Sequence, residues 1–334
     1  MDALSDKLKN GFEGKRVVVV GDPVADQFVM GSIDRVSREA PVFILRHDET
    51  VTVPGGAANA AANIASLGAE AVLIGVLGED ANGEALRRSL EQRGVETAGL
   101  VADKEGATTT KVRVLAGQHY AQRQQVIRID YGGEKRYHED LYSEMKEKIA
   151  LAAQTADAII LSDYSYGSAI PEIGNWCTGI SAEFDIGYLI DSRHRLESFW
   201  GGSATPNQEE VEEILGKNFT STDCEELRAR LRLDSLLVTR GNKGMMLFEG
   251  DKPPVDIPIV GSDEPVDVTG AGDTVIAAYA LGLASGLTFL EAASIANHAG
   301  GLVVMKRGTA TVTFDELSNS LRYSEDSGSA VGTS

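Results

Sequence analysis

The 334-residue sequence contains few cysteines and no long apolar run. Its two cysteines, Cys177 and Cys224, lie far apart without metal-ligand spacing, which excludes a disulfide framework and favours a reducing compartment. No segment approaches the roughly 18 consecutive apolar residues that a membrane-spanning helix needs. The N-terminal stretch mixes charges and lacks the apolar core of a secretory signal, so we expect a cytoplasmic protein.

Basic residues are also scarce. The 31 Lys and Arg residues stand against 50 Asp and Glu residues, which gives a net charge of −19. Nonspecific binding to nucleic acid or to an anionic membrane depends on a surplus of cations, so we expect neither partner. Charged residues at 24% and hydrophobic residues at 43% are typical of a globular protein.

Several sequence motifs of common enzyme classes are absent. The chain has no GxxxxGK[ST] string and no GxGxxG string after its first predicted strand, which argues against a P-loop NTPase and a dinucleotide-binding protein. It has no GxSxG string, and its five histidines show no metal-ligand spacing.

Short apolar runs alternate with longer amphipathic or Ala-rich stretches. The runs are typical of buried parallel strands: Lys15–Gly21, Ala71–Val76, Ala158–Asp163, Gly187–Asp191 and Ser235–Arg240. The stretches predict helices: Ala57–Leu67, Gly83–Arg93, Asp140–Gln154, Glu209–Leu215, Asp273–Ala284 and Phe289–Met305. This alternation predicts an α/β fold whose mostly parallel central sheet is covered by helices on both faces.

Two segments instead alternate apolar and polar residues, as strands do when one face is wet. Gln27–Val53, with a hairpin expected near His47–Glu49, and Thr108–Asp130 therefore predict a small separate sheet over one end of the main domain. The polar tail from Ser324 predicts disorder.

The most specific motif is Asp267–Val268–Thr269–Gly270–Ala271–Gly272–Asp273, directly before an apolar helix. Small residues at a helix N-terminus leave backbone amides accessible to a phosphate or to a developing oxyanion. Asp273 lies in the first helical turn, where the helix dipole favours its ionised form, so it can accept a proton in phosphoryl transfer. A plain helix cap is the alternative interpretation.

A second motif, Pro54–Gly55–Gly56–Ala57–Ala58–Asn59, opens an Ala-rich helix. Paired glycines allow a ligand to approach the backbone closely, and Asn59 can donate to and accept from sugar hydroxyls. Asn63 lies one turn further, and for it we favour a hydrogen bond inside the core.

Asp22 and Asp26 follow the first predicted strand, at the sheet edge where ligands of α/β proteins bind. They can hold substrate hydroxyls, or they can form local turn hydrogen bonds.

Asn207 and Glu210 lie three residues apart at a predicted helix start. They can organise Mg²⁺ through water near nucleotide phosphates, or form a capping box. Thr239 and Gly241, with Gly244, close another strand and flank the nucleotide in this interpretation; a tight turn explains them nearly as well.

Together these strings resemble the ribokinase (PfkB) family of sugar kinases over nearly the whole chain. The strings SREAPV, TTTKVRVL, QQVIRID, LSDY, TPN and LLVTR, with the two glycine motifs, further resemble the kinase domain of the bacterial heptose-7-phosphate kinase/adenylyltransferases. The resemblance implies a three-layer kinase domain over residues 1–323, with β-lid insertions at about 27–53 and 108–130. It also implies ATP and Mg²⁺, a sugar phosphate substrate, and a homodimer formed through the lid.

By matching position, the resemblance makes Asp273 the catalytic base and Gly270, Ala271 and Gly272 the anion hole. It implies a sugar site of Asp22, Asp26, Gly55, Gly56, Asn59 and Asp163. It implies a nucleotide site of Arg193, Asn207, Glu210, Thr239, Gly241, Gly244 and Asn297. Asp267, with backbone carbonyls near Gly308, resembles a monovalent-cation site for K⁺.

The chain departs from this pattern in three places. The string Asp191–Ser192–Arg193–His194 replaces the usual D-P-K-G string, and the lid carries the insertion-like stretch GQHYAQR. The sequence also ends about where the kinase domain of that family ends, so we expect any adenylyltransferase activity from another chain. A phosphorylated sugar requires a cationic pocket, and Arg35, Lys111, Arg113 and Arg128 of the lid segments can form one. The alternative is plain surface charge on strands that are wet on one face.

The implied reaction is phosphorylation of a heptose 7-phosphate at its anomeric hydroxyl, giving a 1,7-bisphosphate. A kinase for another sugar or sugar phosphate and a non-catalytic ligand-binding relative are the alternatives. The intact GAGD string argues against the second, because binding alone does not require a positioned base.

Overall fold

The computed structural model describes residues 4–8, 11–117, 123–261 and 264–331. Its strands are β1 Arg16–Gly21, β2 Pro23–Val36, β3 Phe43–Gly56, β4 Glu70–Ile74, β5 Val76–Gly78, β6 Val95–Glu96, β7 Val101–Asp103, β8 Thr110–Gly117, β9 Gln124–Tyr131, β10 Ala158–Asp163, β11 Gly187–Ser192, β12 Ser203–Ala204, β13 Ser235–Thr239, β14 Met245–Glu249 and β15 Val255–Ile257. Its α-helices are α1 Leu4–Lys7, α2 Ala57–Ser66, α3 Ala81–Glu91, α4 Glu139–Ala153, α5 Pro171–Phe184, α6 Gln208–Leu215, α7 Ser221–Arg230, α8 Ala271–Ala284, α9 Phe289–Val303 and α10 Phe314–Val331.

The central sheet has nine strands in the order β15-β14-β13-β12-β11-β10-β1-β4-β6. Every pair from β13 to β6 is parallel, and β14 and β15 are antiparallel additions at one edge. Alternate residues of β1 point to opposite faces: Val17 and Val19 belong to one hydrophobic core, and Val18 and Val20 to the other. Helices α2, α8 and α9 cover the first core, and α4 and α5 the second. The predicted α/β architecture is confirmed.

A second sheet, which we call the lid, has four strands in the order β3-β2-β8-β9. Both segments predicted to form it do so. The β2–β3 hairpin leaves the central sheet directly after β1 and returns directly into α2, so the lid stands at the carboxyl edge of the parallel strands. Ligands of open α/β sheets bind at this edge.

The structure differs from the sequence-based expectations in three places. The chain turns between β2 and β3 at residues 37–42, which include Pro41. His47 pairs with Gly31 within the β2–β3 ladder, so the prediction of a hairpin turn near His47–Glu49 is wrong. The run predicted as one strand over Ala71–Val76 is divided at Gly75, which lies between β4 and β5. The Gly75 backbone passes so close to the Gly21 carbonyl that no side chain would fit there.

Helix α10 is the third difference. It continues to Val331, where the sequence predicts a disordered tail from Ser324, and Glu325 accepts a hydrogen bond from the Ser5 backbone at 3.1 Å. Most of the insertion-like GQHYAQR stretch lies outside the described residues. Among the described helices, none combines the length and the apolar character needed to cross a membrane.

Candidate active site

Asp273 lies in the first turn of α8, and only 3% of its surface is exposed. The turn begins at Gly270, whose φ of 78° is the left-handed conformation that glycine adopts most readily. Asn59 Nδ2 donates to Asp273 Oδ2 at 2.7 Å, and the Tyr164 hydroxyl donates to Oδ1 at 2.5 Å. The two glycine motifs of the sequence therefore meet at one carboxylate.

The groups around Asp273 shift the pKa of its carboxyl in opposite directions. Burial raises the pKa of its carboxyl above the ordinary value, and the hydrogen bonds from Tyr164 and Asn59 act to lower it. The cation of Arg193 also lowers this pKa, whereas the charge of Asp26 raises it. The net direction is upward, opposite to what the helix N-terminus alone predicts. A raised pKa makes a carboxylate a better proton acceptor.

A cavity of about 790 Å³ opens beside Asp273. Gly272 lines it, and a Cβ on this residue would meet no protein atom within 4 Å, so its backbone is open to a ligand. The first amides of a helix have no intrahelical partner. Every residue predicted for the nucleotide site lines the same cavity: Arg193, Asn207, Glu210, Thr239, Gly241, Gly244 and Asn297.

Asn207 and Glu210 form a capping box at the start of α6. Asn207 Oδ1 accepts from the Glu210 backbone at 2.9 Å, and Glu210 Oε2 accepts from the Asn207 backbone at 2.9 Å. Burial raises the pKa of the Glu210 carboxyl. The capping box, which was the alternative interpretation of Asn207 and Glu210, is therefore present. It also orients both side chains at the wall of the cavity.

On the lid side of Asp273, Asp26 is 5% exposed and pairs with Arg113, whose Nη1 lies 2.6 Å from Asp26 Oδ1. Gly55 packs against this carboxylate, because a Cβ there would lie 2.7 Å from Asp26 Oδ2. Gly56 has a φ of 58° and leaves no room for a Cβ against the Asp22 carbonyl. Asp26, Gly55, Gly56 and Asn59 are thus grouped at the base of the lid.

Asp22 and Asp163 have a different arrangement. Asp22 accepts three backbone hydrogen bonds, from Tyr164 at 2.9 Å, Tyr166 at 3.0 Å and Ser168 at 2.7 Å. Asp163 is fully buried and pairs with Arg195 and the Ser192 hydroxyl. Both carboxylates accept hydrogen bonds from protein groups and organise the loop after β10. Their binding of sugar hydroxyls stays a prediction.

Three of the four predicted lid cations come together. Lys111 and Arg113 on β8 lie opposite Asp130 and Arg128 on β9, and Lys111 Nζ is 5.4 Å from the Tyr166 ring centroid. Arg128 makes two hydrogen bonds to Asp130, at 2.7 and 2.6 Å.

Arg35 does not join this cluster. It pairs with Ile44 near the hairpin turn, whereas Lys111 pairs with Asp26 at the other end of β2. Its side chain is 69% exposed and lies 3.8 Å from Asp34. Arg35 therefore lies apart from the other three cations, and its contribution to a phosphate clamp stays a prediction.

Asp267 lies in the loop before α8. Its Oδ1 accepts from Thr269 N and its Oδ2 from Gly308 N, both at 2.9 Å. Burial acts to raise the pKa of this carboxyl, but the two amide hydrogen bonds prevail and lower it, so the group carries a fixed negative charge.

Sequence reasoning missed three polar residues of the site. The roles of Tyr164 and Asp191 were not predicted. Both lie at the carboxyl ends of buried strands, and the same position had indicated Asp22 as a candidate site residue. Asp191 lines the cavity, and burial raises its pKa well above the ordinary value. Thr205 also lines the cavity, and its buried hydroxyl has no hydrogen-bond partner, a signal that only coordinates reveal.

Solved structures share this fold at low sequence identity. Phosphofructokinase-2 from Escherichia coli, in complex with potassium, superposes with a TM-score of 0.75 at 19% identity, covering 92% of this chain and 98% of that one. Ribokinase from Arabidopsis thaliana, complexed with ribose and ATP, superposes with a TM-score of 0.68 at 22% identity, covering 93% and 99%.

Two relatives have higher sequence identity. The bifunctional protein HldE of Caulobacter vibrioides is 37% identical over 328 residues, and that of Shewanella amazonensis is 38% identical over 317 residues. The alignments cover 95% and 93% of this chain but only 65% and 64% of the relatives, so the chain spans less than two thirds of their length. The model of the pfkB family carbohydrate kinases matches residues 16–316. As its motifs predict, the chain belongs to the pfkB family of carbohydrate kinases.

Proposed function

We propose that this protein is an ATP-dependent kinase that phosphorylates a heptose 7-phosphate at its anomeric hydroxyl, giving the 1,7-bisphosphate. The observation that carries the proposal is the position of Asp273, which lines the cavity and accepts a hydrogen bond from Tyr164, whose ring lies 5.9 Å from Lys111 of the lid. The alignment with two HldE proteins and the sequence resemblance to heptose-phosphate kinases supply the substrate class.

In the proposed reaction the anomeric oxygen forms a bond to the γ-phosphorus while the bond to the bridging oxygen of ADP breaks. The hydroxyl proton passes to the Asp273 carboxylate, and ADP leaves with the bridging oxygen. Phosphoryl transfer depends chiefly on position and on charge stabilisation. The amides of the first turn of α8 and the cation of Arg193 are suited to hold the transferring group.

The cavity fits ATP and Mg²⁺ by the chemistry of its walls. Gly272 leaves open space, and the unpartnered Thr205 hydroxyl offers a hydrogen bond to a ligand. We propose that Asn207 and Glu210 hold the magnesium ion through water, since hard oxygen ligands and retained waters suit this ion. When bound, Mg²⁺ neutralises charge on the β- and γ-phosphates.

Potassium is a further proposed activator, at Asp267 and the loop near Gly308. Asp267 is ionised but already accepts two amide hydrogen bonds, so the ion would also require backbone carbonyls. Replacing potassium by tetramethylammonium at constant ionic strength tests this site: lower activity is expected, and unchanged activity contradicts it.

We propose that Lys111 and Arg128, with Arg113 behind them, bind the phosphate that the sugar already carries. Arg113 is committed to Asp26 on the neighbouring strand β2, and this buried ion pair joins two strands of the lid. Lys111 and Arg128 lie on the same lid face, next to Tyr166. Charge-assisted hydrogen bonds to phosphate are strong, which favours a phosphorylated substrate in an otherwise acidic protein.

Sugar-dependent ADP release from a panel of sugars and sugar phosphates tests the reaction, and ³¹P NMR of the product locates the new phosphoryl group. We expect the highest kcat/KM with heptose 7-phosphate and a new signal from an anomeric phosphate. Turnover of that substrate at another hydroxyl would refute the proposed product. ATP binding without sugar-dependent turnover would revive the non-catalytic interpretation.

One feature favours the alternative, a pfkB kinase for another sugar or sugar phosphate. The string Asp191–Ser192–Arg193–His194 places a planar guanidinium at the cavity wall, 4.6 Å from the Tyr164 ring, where the resembling family has lysine. If this change alters specificity, the same panel will show highest kcat/KM with a different sugar.

We propose a homodimer formed through the lid. On β9, Ile127, Ile129 and Tyr131 are 53%, 40% and 52% exposed, and they alternate with Arg128 and Asp130, so they occupy the face opposite the cations. An apolar face of this kind fits a second copy of the chain. Light scattering on the double variant Ile127→Lys/Ile129→Lys should show monomers. The control, Leu151→Lys on α4, should stay dimeric. A double variant that is still a dimer contradicts the proposal.

A further inference from the structure

Tyr164 holds one oxygen of the buried carboxylate of Asp273. Its hydroxyl lies 2.5 Å from Oδ1, on the opposite side from Asn59, whose Nδ2 lies 2.7 Å from Oδ2. Two donors on two oxygens fix the plane of a carboxylate, whereas a single donor leaves it free to rotate. Each oxygen can still accept a second hydrogen bond, so a substrate hydroxyl can share Oδ1 or Oδ2.

Tyr164 is itself held from three sides. Its backbone amide donates to the buried Asp22 at 2.9 Å. The Arg193 guanidinium lies 4.6 Å from the ring centroid, and Lys111 Nζ of the lid lies 5.9 Å from it. Burial raises the pKa of the phenol well above its ordinary value, and the nearby charges of Asp273 and Asp191 add to this shift. The phenol therefore stays protonated and remains a donor.

We propose that Tyr164 is a positioning residue for the phosphoryl-transfer base: its hydroxyl orients Asp273, and Arg193 keeps the phenol in place. The inference rests on the proposed function, in which Asp273 accepts the substrate proton. It gives Asp22 a structural role as well, because the Asp22 carboxylate anchors the loop that carries Tyr164.

The hydrogen bond from Tyr164 affects the pH dependence of the reaction. A hydrogen bond donated to a carboxylate stabilises the ionised form, so removing the donor raises the pKa of Asp273. The base is then protonated at a higher pH, and the acid limb of the kcat profile moves upward. The other charged groups around Asp273 are Arg193, Asp26 and Asp191, and none of them is altered when Tyr164 becomes phenylalanine.

The experiment compares Tyr164→Phe with wild type at saturating ATP and sugar phosphate. We expect kcat to fall about 10- to 100-fold, because a hydrogen bond to a charged group is lost. The acid limb should move up by about one pH unit. Tyr166→Phe is the matched control, since it also removes a phenol from this loop but its hydroxyl makes no bond to Asp273; its acid limb should stay in place.

A lower kcat with an unmoved acid limb would show that Tyr164 acts only through folding, and it would overturn the inference. A second measurement separates this result from failure of the proposed function. The Asp273 carboxyl can be titrated by ¹³C NMR, with its signal assigned by its loss in Asp273→Asn. A higher pKa in Tyr164→Phe supports the inference even if no sugar is turned over, and an equal pKa overturns it even in an active kinase.

Discussion

The central sheet and the lid sheet differ in how completely the protein covers them. Every residue of β10, in the middle of the central sheet, is buried, and every residue of β9, at the lid edge, is exposed. The proposed base and the amides beside the cavity lie in the region around the central sheet, and the cations proposed to bind a sugar phosphate belong to the lid. From this difference we propose that a rigid core positions the reacting groups and that the exposed lid determines the choice of substrate.

A buried ion pair joins two strands of the lid at its base. Arg113 of the lid contacts Asp26, which lies at the start of β2, beside Gly55. Removing one partner of a buried pair leaves an uncompensated charge, so we expect this contact to stabilise the pairing of β2 with β8 beside the site.

Hydrogen exchange is the measurement with the largest expected contrast. Amides of β10 should exchange only through global unfolding, and those of β9 through local opening, so we expect protection at least about 1,000-fold higher in β10. Addition of ADP and the sugar phosphate should slow exchange in β9 and leave β10 unchanged. Equal protection of β9 and β10 would contradict the conclusion that the lid opens more easily than the core.

Asp273→Asn tests the core. The amide keeps the volume of the side chain but cannot accept the substrate proton, so we expect kcat to fall about 1,000-fold or more. ATP binding, measured by calorimetry, should stay within about threefold of wild type, because the change removes no contact of the nucleotide. Near-normal turnover would exclude Asp273 as the base.

Gly272→Ala tests the amide-lined cavity with a smaller change. A Cβ there meets no protein atom within 4 Å, and alanine favours a helix over glycine by about 1 kcal/mol, so the variant should be at least as stable as wild type. The methyl group would occupy space proposed for a phosphate, and we expect kcat/KM for ATP to fall about 100-fold.

Gly179→Ala is the matched control, because Gly179 also lies within a helix, α5, with open space around it. It should gain similar stability and keep its activity. Equal activity of the two variants would place the phosphates elsewhere.

Much of the fold could be predicted from the sequence because buried strands have a strong local signature. The run Ala158–Asp163 has the same bounds in the prediction and in the structure. The hairpin turn was misplaced because His47, Asp48 and Glu49 resemble turn residues but are tolerated on the exposed edge strand β3. Helices α5, α7 and α10 were missed or cut short, since α7 is amphipathic only weakly and α10 ends in small polar residues.

The site was predicted as far as residue type and strand position allow. The motifs of Asn59 and Asp273 were singled out separately, and their contact across 214 residues became visible only in the structure. Sequence position could not distinguish Asp26, which pairs with Arg113 inside the lid, from Asp22, whose carboxylate accepts three backbone hydrogen bonds. Which carboxylates remain available for a ligand depends on the loop conformation, which has no local signature.

The central claim is that the core catalyses and the lid selects a phosphorylated substrate. Its most direct test is the ratio of kcat/KM for heptose 7-phosphate to that for unphosphorylated heptose. We expect a ratio of about 100 or more in wild type and a loss of at least about tenfold in Lys111→Met/Arg128→Met, because each cation donates to the phosphate. Arg35→Met, outside the cluster, should keep the ratio within about twofold. A double variant with an unchanged ratio would contradict the claim.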